Sequence, residues 1–154
     1  MKVLTDSSPF ETEIIGANTF ALPQGLVGFP DYTHAELLYQ PDQLPFLWMK
    51  LRGPKDSINF VVLEPGGIVK GYEPELFDAD AVSLDLSDPS EAMVLNVVTL
   101  KHRDPVEATA NLIGPIIVNR RTRIGRQLVI SNYSRYSARH LLVTNEPEAA
   151  RASA

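Results

Sequence analysis

Residues 112–130 read LIGPIIVNRRTRIGRQLVI, and this stretch decides the fold. Two short apolar runs, 112–118 and 127–130, enclose a polar segment that carries four arginines. Short runs of β-branched and apolar residues bounded by glycine, proline or charged residues are typical of strands. The sequence therefore predicts a hairpin with a basic connection.

The rest of the chain repeats this pattern of short strands. Further strands are predicted at 11–15, 19–22, 35–39, 46–51, 58–63 and 93–100, each bounded by turn residues. Helix signals are few: Glu73-Pro74-Glu75 suits a first helical turn, and Asp88-Pro89-Ser90-Glu91 resembles a capping box. We predict an all-β, single-domain, antiparallel β-barrel-like fold with one or two short helical turns. A sandwich and a small barrel both fit the pattern.

Length and composition bound the organisation of the chain. Its 154 residues suit one domain, which we place at 1–144, with a flexible C-terminal tail at 145–154. The absence of cysteine excludes disulfides, thiolate nucleophiles and Cys-ligated zinc. No apolar stretch has the length of a signal peptide core or a membrane span. We expect a cytoplasmic protein with no membrane partner.

Charge is unevenly distributed along the chain. Residues 1–100 carry 5 Lys and Arg against 15 Asp and Glu, a net charge of −10, whereas residues 101–154 carry 9 against 4, a net charge of +5. A charge asymmetry of this kind indicates which partners a protein could attract and does not predict its fold.

Side chains able to do chemistry are scattered. His34, His102 and His140 are too far apart in sequence to predict a metal site, and no Gly-x-Ser-x-Gly or phosphate-binding glycine pattern occurs. We therefore expect no enzyme activity, no cofactor and no metal.

The segment from Arg120 to Arg139 is the sharpest charge feature. It holds six arginines and no acid, with Tyr133 and Tyr136 interleaved. One interpretation is a β-barrel module that binds nucleic acid through these arginines. A variant of it is a module that binds a cyclic dinucleotide through the arginines and the following Asn132-Tyr133-Ser134. The other is that these arginines pair with the acidic half of the chain.

Five ordered segments resemble the FliW family of flagellar assembly factors and together cover roughly residues 2 to 143. They are LPQGLVGF at 22–29; PFLW at 45–48 with NFVVLEP at 59–65; YEPEL at 72–76; TANLIGPIIVN at 109–119 running on to Arg123-x-Gly125-Arg126-Gln127; and Tyr136-Ser137-x-Arg139-His140.

This resemblance implies a non-enzymatic, partner-switching protein of the cytoplasm. Such proteins bind flagellin and, alternatively, the translational regulator CsrA, which then releases flagellin messenger RNA without FliW occupying the RNA site. No direct contact with nucleic acid is expected. For the partner-binding surface we predict the segment around 72–80, where acidic and apolar groups mix, with the residues Glu64, Tyr72, Glu73, Glu75, Phe77, Asp78 and Asp80.

Overall fold

The computed structural model describes residues 1–5, 18–101 and 107–144. The strands are β1 (Thr19–Ala21), β2 (His34–Leu38), β3 (Phe46–Arg52), β4 (Ser57–Leu63), β5 (Ala92–Lys101), β6 (Glu107–Ala110), β7 (Ile116–Asn119), β8 (Ile124–Gln127) and β9 (His140–Thr144). One helix, α1 (Asp78–Ser83), and three 3₁₀ turns at Pro41–Gln43, Pro89–Glu91 and Tyr133–Arg135 complete the described elements. The predicted strand at 11–15 and the predicted tail at 145–154 lie outside the described residues.

The sheet closes on itself. Its order is β4-β3-β2-β1-β8-β7-β5-β6-β9, and β4 also pairs with β5, which gives a barrel of seven strands. β5 is ten residues long and pairs with three strands. Its first half pairs with β7, its second half pairs with β6, and residues 96–98 pair with β4. All pairings are antiparallel except β1 with β8, which meet at Ala21 and Ile124. The barrel, rather than a sandwich, is confirmed.

The core has two parts, one on each side of β5 and β7. Inside the barrel, alternate residues of the strands pack together, as Leu47, Met49 and Leu51 do on β3. β7 is buried on both faces, so its Ile117 faces a second cluster instead. Residues such as Val3, Tyr72, Leu76 and Leu84 cover that outer face and form the second cluster. The acidic stretch that contains Tyr72 and Leu76 therefore packs directly on the second cluster.

Three local predictions differ in outcome. The capping box at Asp88 is confirmed, because its side chain accepts from the Ser90 N–H and Glu91 completes the box. The helical turn predicted at residues 73–75 is wrong: that segment is extended, and α1 begins at Asp78. The second strand of the basic hairpin is β8 at 124–127, rather than residues 127–130. The described part of the chain has no helix with the length and hydropathy of a membrane span.

Candidate partner-binding surface

The segment 71–80, which we call the acidic segment, runs in extended form over the second core and then enters α1. It is flanked by the N-terminal residues 1–3 on one side and by residues 131–136 on the other. On the N-terminal side, Lys2 and Glu75 form an isolated antiparallel bridge. The Leu76 N–H donates to the Met1 carbonyl at 2.7 Å, and the Val3 N–H donates to the Pro74 carbonyl at 3.2 Å.

On the other side, the side chains of Asn132 and Tyr136 form hydrogen bonds with the backbone of the acidic segment, as the backbone of a neighbouring strand would. The Glu75 N–H donates to Oδ1 of Asn132 at 3.0 Å, and Nδ2 of Asn132 donates to the Glu73 carbonyl at 2.9 Å. The Glu73 N–H donates to the Tyr136 hydroxyl at 2.9 Å, and that hydroxyl donates to the Gly71 carbonyl at 3.3 Å. The backbone of the acidic segment is thus bonded on both edges, which explains why it does not coil into the predicted helix.

Tyr72 anchors the segment from beneath. Only 3% of the residue is exposed, and its ring packs edge-on against Tyr136 with centroids 5.0 Å apart. Its hydroxyl donates to the Leu112 carbonyl at 2.7 Å and accepts from Nδ2 of Asn96 at 3.2 Å. Burial raises the pKa of Tyr72 well above its usual range. Of the predicted surface residues, Tyr72 therefore lies in the core and supports the others.

The acidic segment ends in a patch that mixes apolar and acidic side chains. Phe77 precedes α1 and is 49% exposed, and Val82 on the outer face of the helix is 77% exposed. Asp78 lies between them with a fully exposed side chain. Large apolar groups that stay in water beside charges are typical of protein interfaces. Phe77 and Asp78 are therefore exposed, as a role in binding a partner would require.

Arginines of the β7–β8 region neutralise part of the acidic charge. Arg126 forms an ion pair with Asp80 at 2.5 Å and also donates to the Ser83 hydroxyl. Arg121 bridges Asp85 and Glu91, each at 3.0 Å. Hydrogen bonds from the Ser87 N–H and then from Arg121 lower the pKa of Glu91 to about 2. Glu73 and Asp78 form longer, exposed ion pairs, with Lys2 at 3.6 Å and with the N-terminal ammonium at 3.8 Å, which offset only part of their charge.

Glu64 has different charged neighbours from the other predicted residues. It follows β4 and is half-buried, close to Arg120 and Tyr39. Burial raises the pKa of Glu64 to about 7, although the nearby Arg120 opposes this shift. Because a glutamate with this pKa carries only part of its charge at neutral pH, Glu64 adds less to the acidic surface than the sequence suggests.

The contacts favour the ion-pairing interpretation for part of the basic segment. Arg121 and Arg126 are both engaged with acids, and Arg135 lies over the Tyr136 ring at 5.7 Å from its centroid. The described residues contain no group of three or more His, Asp or Glu close enough to hold a metal ion.

Two residues that organise this surface were missed as such by the sequence analysis. Asn132 was considered only as a member of the basic segment, and Tyr136 as a member of that segment and of a FliW-like motif, yet their side chains hold the acidic segment in place. Nothing in the local sequence predicts this, because their partners lie about 60 positions earlier in the chain.

Comparisons with known proteins agree with this architecture. A family model described as FliW protein matches residues 5–142. The flagellar assembly factor FliW of Natranaerobius thermophilus is 31% identical over 141 residues, which cover 92% of each chain. That of Moorella thermoacetica is 33% identical over 143 residues, covering 92% of this chain and 88% of the relative. A crystal structure of the flagellar assembly factor FliW superposes with a TM-score of 0.70 at 25% identity, covering 92% of this chain and 96% of that one.

Proposed function

Because this chain belongs to the FliW family of flagellar assembly factors, we propose that it acts without covalent chemistry by binding two partners in turn. The partners are flagellin and a CsrA-type translational regulator, and the site of action is the cytoplasm. When flagellin is scarce the protein binds the regulator, which then releases flagellin messenger RNA.

The observation that carries the proposal is the acidic segment itself. Hydrogen bonds fix its backbone on both edges, and the buried side chain of Tyr72 anchors it to the core. The side chains of Phe77 and Asp78 are exposed. A surface that is ordered before binding loses little conformational entropy when a partner docks. Apolar Phe77 supplies contact area, while Glu73, Glu75 and Asp78 supply a negative field.

The negative field disfavours RNA on a bound regulator. One acid and one phosphate about 10 Å apart in water repel by roughly 0.4 kcal/mol before screening. Three acids therefore contribute about 1 kcal/mol at most, and physiological salt lowers this because the Debye length is about 8 Å. Charge thus changes RNA affinity only a few-fold, and displacement of regulator segments supplies the rest of the effect.

The test is a gel-shift competition in which the purified chain displaces labelled flagellin messenger RNA from the regulator. The triple variant E73Q/E75Q/D78N is expected to bind the regulator but to release RNA a few-fold less efficiently. The control variant D31N/D42N/E107Q removes three acids outside the acidic segment and should release RNA as the parent does. Equal RNA release by both variants would refute the charge contribution, and failure of the parent to bind either partner would refute the function.

The second candidate function is nucleic-acid or cyclic-dinucleotide binding through the segment from Arg120 to Arg139. The observation in its favour is the run of six arginines without an acid. Retention on heparin that falls steeply with salt would support it. The engagement of Arg121 and Arg126 with acids favours partner switching instead.

A further inference from the structure

A shallow groove lies at the barrel surface beside the loop 23–30. It has a volume of about 260 Å³, and its lining combines the apolar side chains of Val27, Phe29, Phe60 and Val97 with the polar ones of Thr99, Asn111 and Gln127. Small-molecule sites are usually about 300–1,000 Å³. A groove of this size suits one or two side chains of a peptide better than a whole ligand.

The apolar wall is held in position by the loop. Gly25 and Gly28 both have positive φ, at +62° and +88°, which turns the loop back on itself. The Val27 N–H donates to Oε1 of Gln127 at 3.0 Å, while Nε2 of Gln127 donates to the Gly114 carbonyl at 3.1 Å. Phe29 packs edge-on against Phe60 with centroids 5.5 Å apart. Val27 nevertheless remains 82% exposed at the groove.

One cation lies at this groove and no acid does. Arg139 is part of the lining, and its side chain is exposed. The ion pairs found among residues 1–5, 18–101 and 107–144 do not include Arg139. Arg139 thus places a positive charge beside the apolar side chains of the groove.

We propose that this groove binds a peptide segment of a partner protein in which an apolar side chain is followed by a carboxylate. The apolar side chain lies against Val27, Phe29 and Phe60, and the carboxylate accepts hydrogen bonds from the guanidinium of Arg139. Charge complementarity selects an acidic segment over a neutral or basic one. The groove shares no residue with the acidic segment, so its occupancy is independent of the function proposed above.

The test is an NMR titration of the ¹⁵N-labelled full chain with three short peptides. The probe is acetyl-Gly-Leu-Phe-Asp-Gly-amide, the neutral control replaces Asp by Asn, and the polar control replaces Leu-Phe by Ser-Ser. The Asp probe is expected to shift the amide signals of Val27, Phe60 and Ala138. The Asn control should bind about two- to fivefold more weakly, as for one exposed ion pair, and the polar control should bind far more weakly than either.

Matched variants locate the interaction. R139Q should abolish the difference between the Asp and Asn peptides, whereas R135Q, which removes an exposed arginine outside the groove, should preserve it. V27S should weaken binding of the Asp probe about tenfold through lost apolar contact, while V129S, at an exposed valine outside both the groove and the acidic segment, should leave binding unchanged.

Three results would overturn the proposal. One is equal affinity of the Asp and Asn peptides for the parent. Another is an equal effect of R135Q and R139Q. The third is a shift of the same signals on raising the protein concentration without peptide, which would identify a second copy of the chain as the occupant.

Discussion

Asn132 and Glu75 lie 57 residues apart in the chain and are joined by a hydrogen bond of 3.0 Å from the Glu75 N–H to Oδ1 of Asn132. The other end of the same amide donates to the Glu73 carbonyl at 2.9 Å. One side chain thus satisfies a donor and an acceptor of the acidic segment, as a neighbouring strand would. We expect the order of the acidic segment to depend on this amide.

Removing this amide should loosen the surface. N132A is expected to lower the free energy of unfolding by about 1 to 2 kcal/mol, because two hydrogen bonds to backbone are lost, one at half-buried Glu75 and one at exposed Glu73. Urea unfolding measures the change, and amide hydrogen exchange at Glu75 should become faster. N59A, at an exposed asparagine of β4, is the control and should change neither quantity. Unchanged exchange at Glu75 in N132A would show that Asn132 does not order the segment.

The loop 23–30 gives a pair of matched glycines. A Cβ on Gly25 would lie 2.0 Å from the Phe29 carbonyl oxygen, whereas a Cβ on Gly28 would meet no atom within 4 Å. Both have positive φ, so G28A should cost about 1 kcal/mol of stability from backbone strain alone. G25A adds a clash with backbone and should cost about 3 kcal/mol. Thermal unfolding of the two variants tests this order, which equal losses would contradict.

Glu64 should make stability depend on pH. Its pKa is raised by burial to about 7, so the folded state binds a proton that the unfolded state releases above pH 4.5. The stability of the parent should therefore fall as pH rises from 4.5 to 7. E64Q should match the parent near pH 4 and exceed it at pH 8 by about 1 kcal/mol, a value discounted for partial exposure. Urea unfolding at both pH values checks this, with the exposed-site variant E73Q as control.

Glu91 should make the free energy of unfolding rise with pH, the opposite of the effect of Glu64. Its pKa is lowered to about 2 by hydrogen bonds from the Ser87 N–H and from Arg121. The stabilisation that its charge provides is complete above pH 4.5 and is lost as pH falls towards 2. E91Q should therefore be less stable than the parent at pH 7, and the two should converge near pH 2. A constant difference across that range, measured by urea unfolding, would contradict this assignment.

Strands with a clear hydrophobic pattern could be predicted from sequence. The strands with which they pair could not. β2, β3, β4 and β5 were predicted within about two residues because apolar side chains mark them, either in alternation or in an unbroken run. β6 was missed because Glu107–Ala110 is only four residues long and weakly apolar. β8 was placed too late because Leu128 and Ile130 are buried by packing outside the ladder, while the true strand contains Arg126 and Gln127.

Phe77 and Asp78, two of the residues predicted for the partner-binding surface, are exposed in the fold, but the net charge around them could not be predicted from sequence. Asp80 and Glu73 are equally acidic in sequence, yet Asp80 forms a largely buried ion pair with Arg126 at 2.5 Å, whereas Glu73 forms an exposed ion pair with Lys2 at 3.6 Å. Likewise, nothing local marks Tyr72 as buried, because its cover comes from Tyr136 and its hydrogen-bond acceptor is Leu112. Long-range contacts decide which of the predicted residues are exposed and which are paired.

The most direct measurement of partner switching titrates purified flagellin into a preformed complex of this chain with a CsrA-type regulator and follows the regulator by size-exclusion chromatography. Partner switching predicts that flagellin releases the regulator in proportion to the flagellin bound, leaving a flagellin complex and free regulator. A stable complex containing all three proteins, or a regulator that stays bound at saturating flagellin, would contradict it.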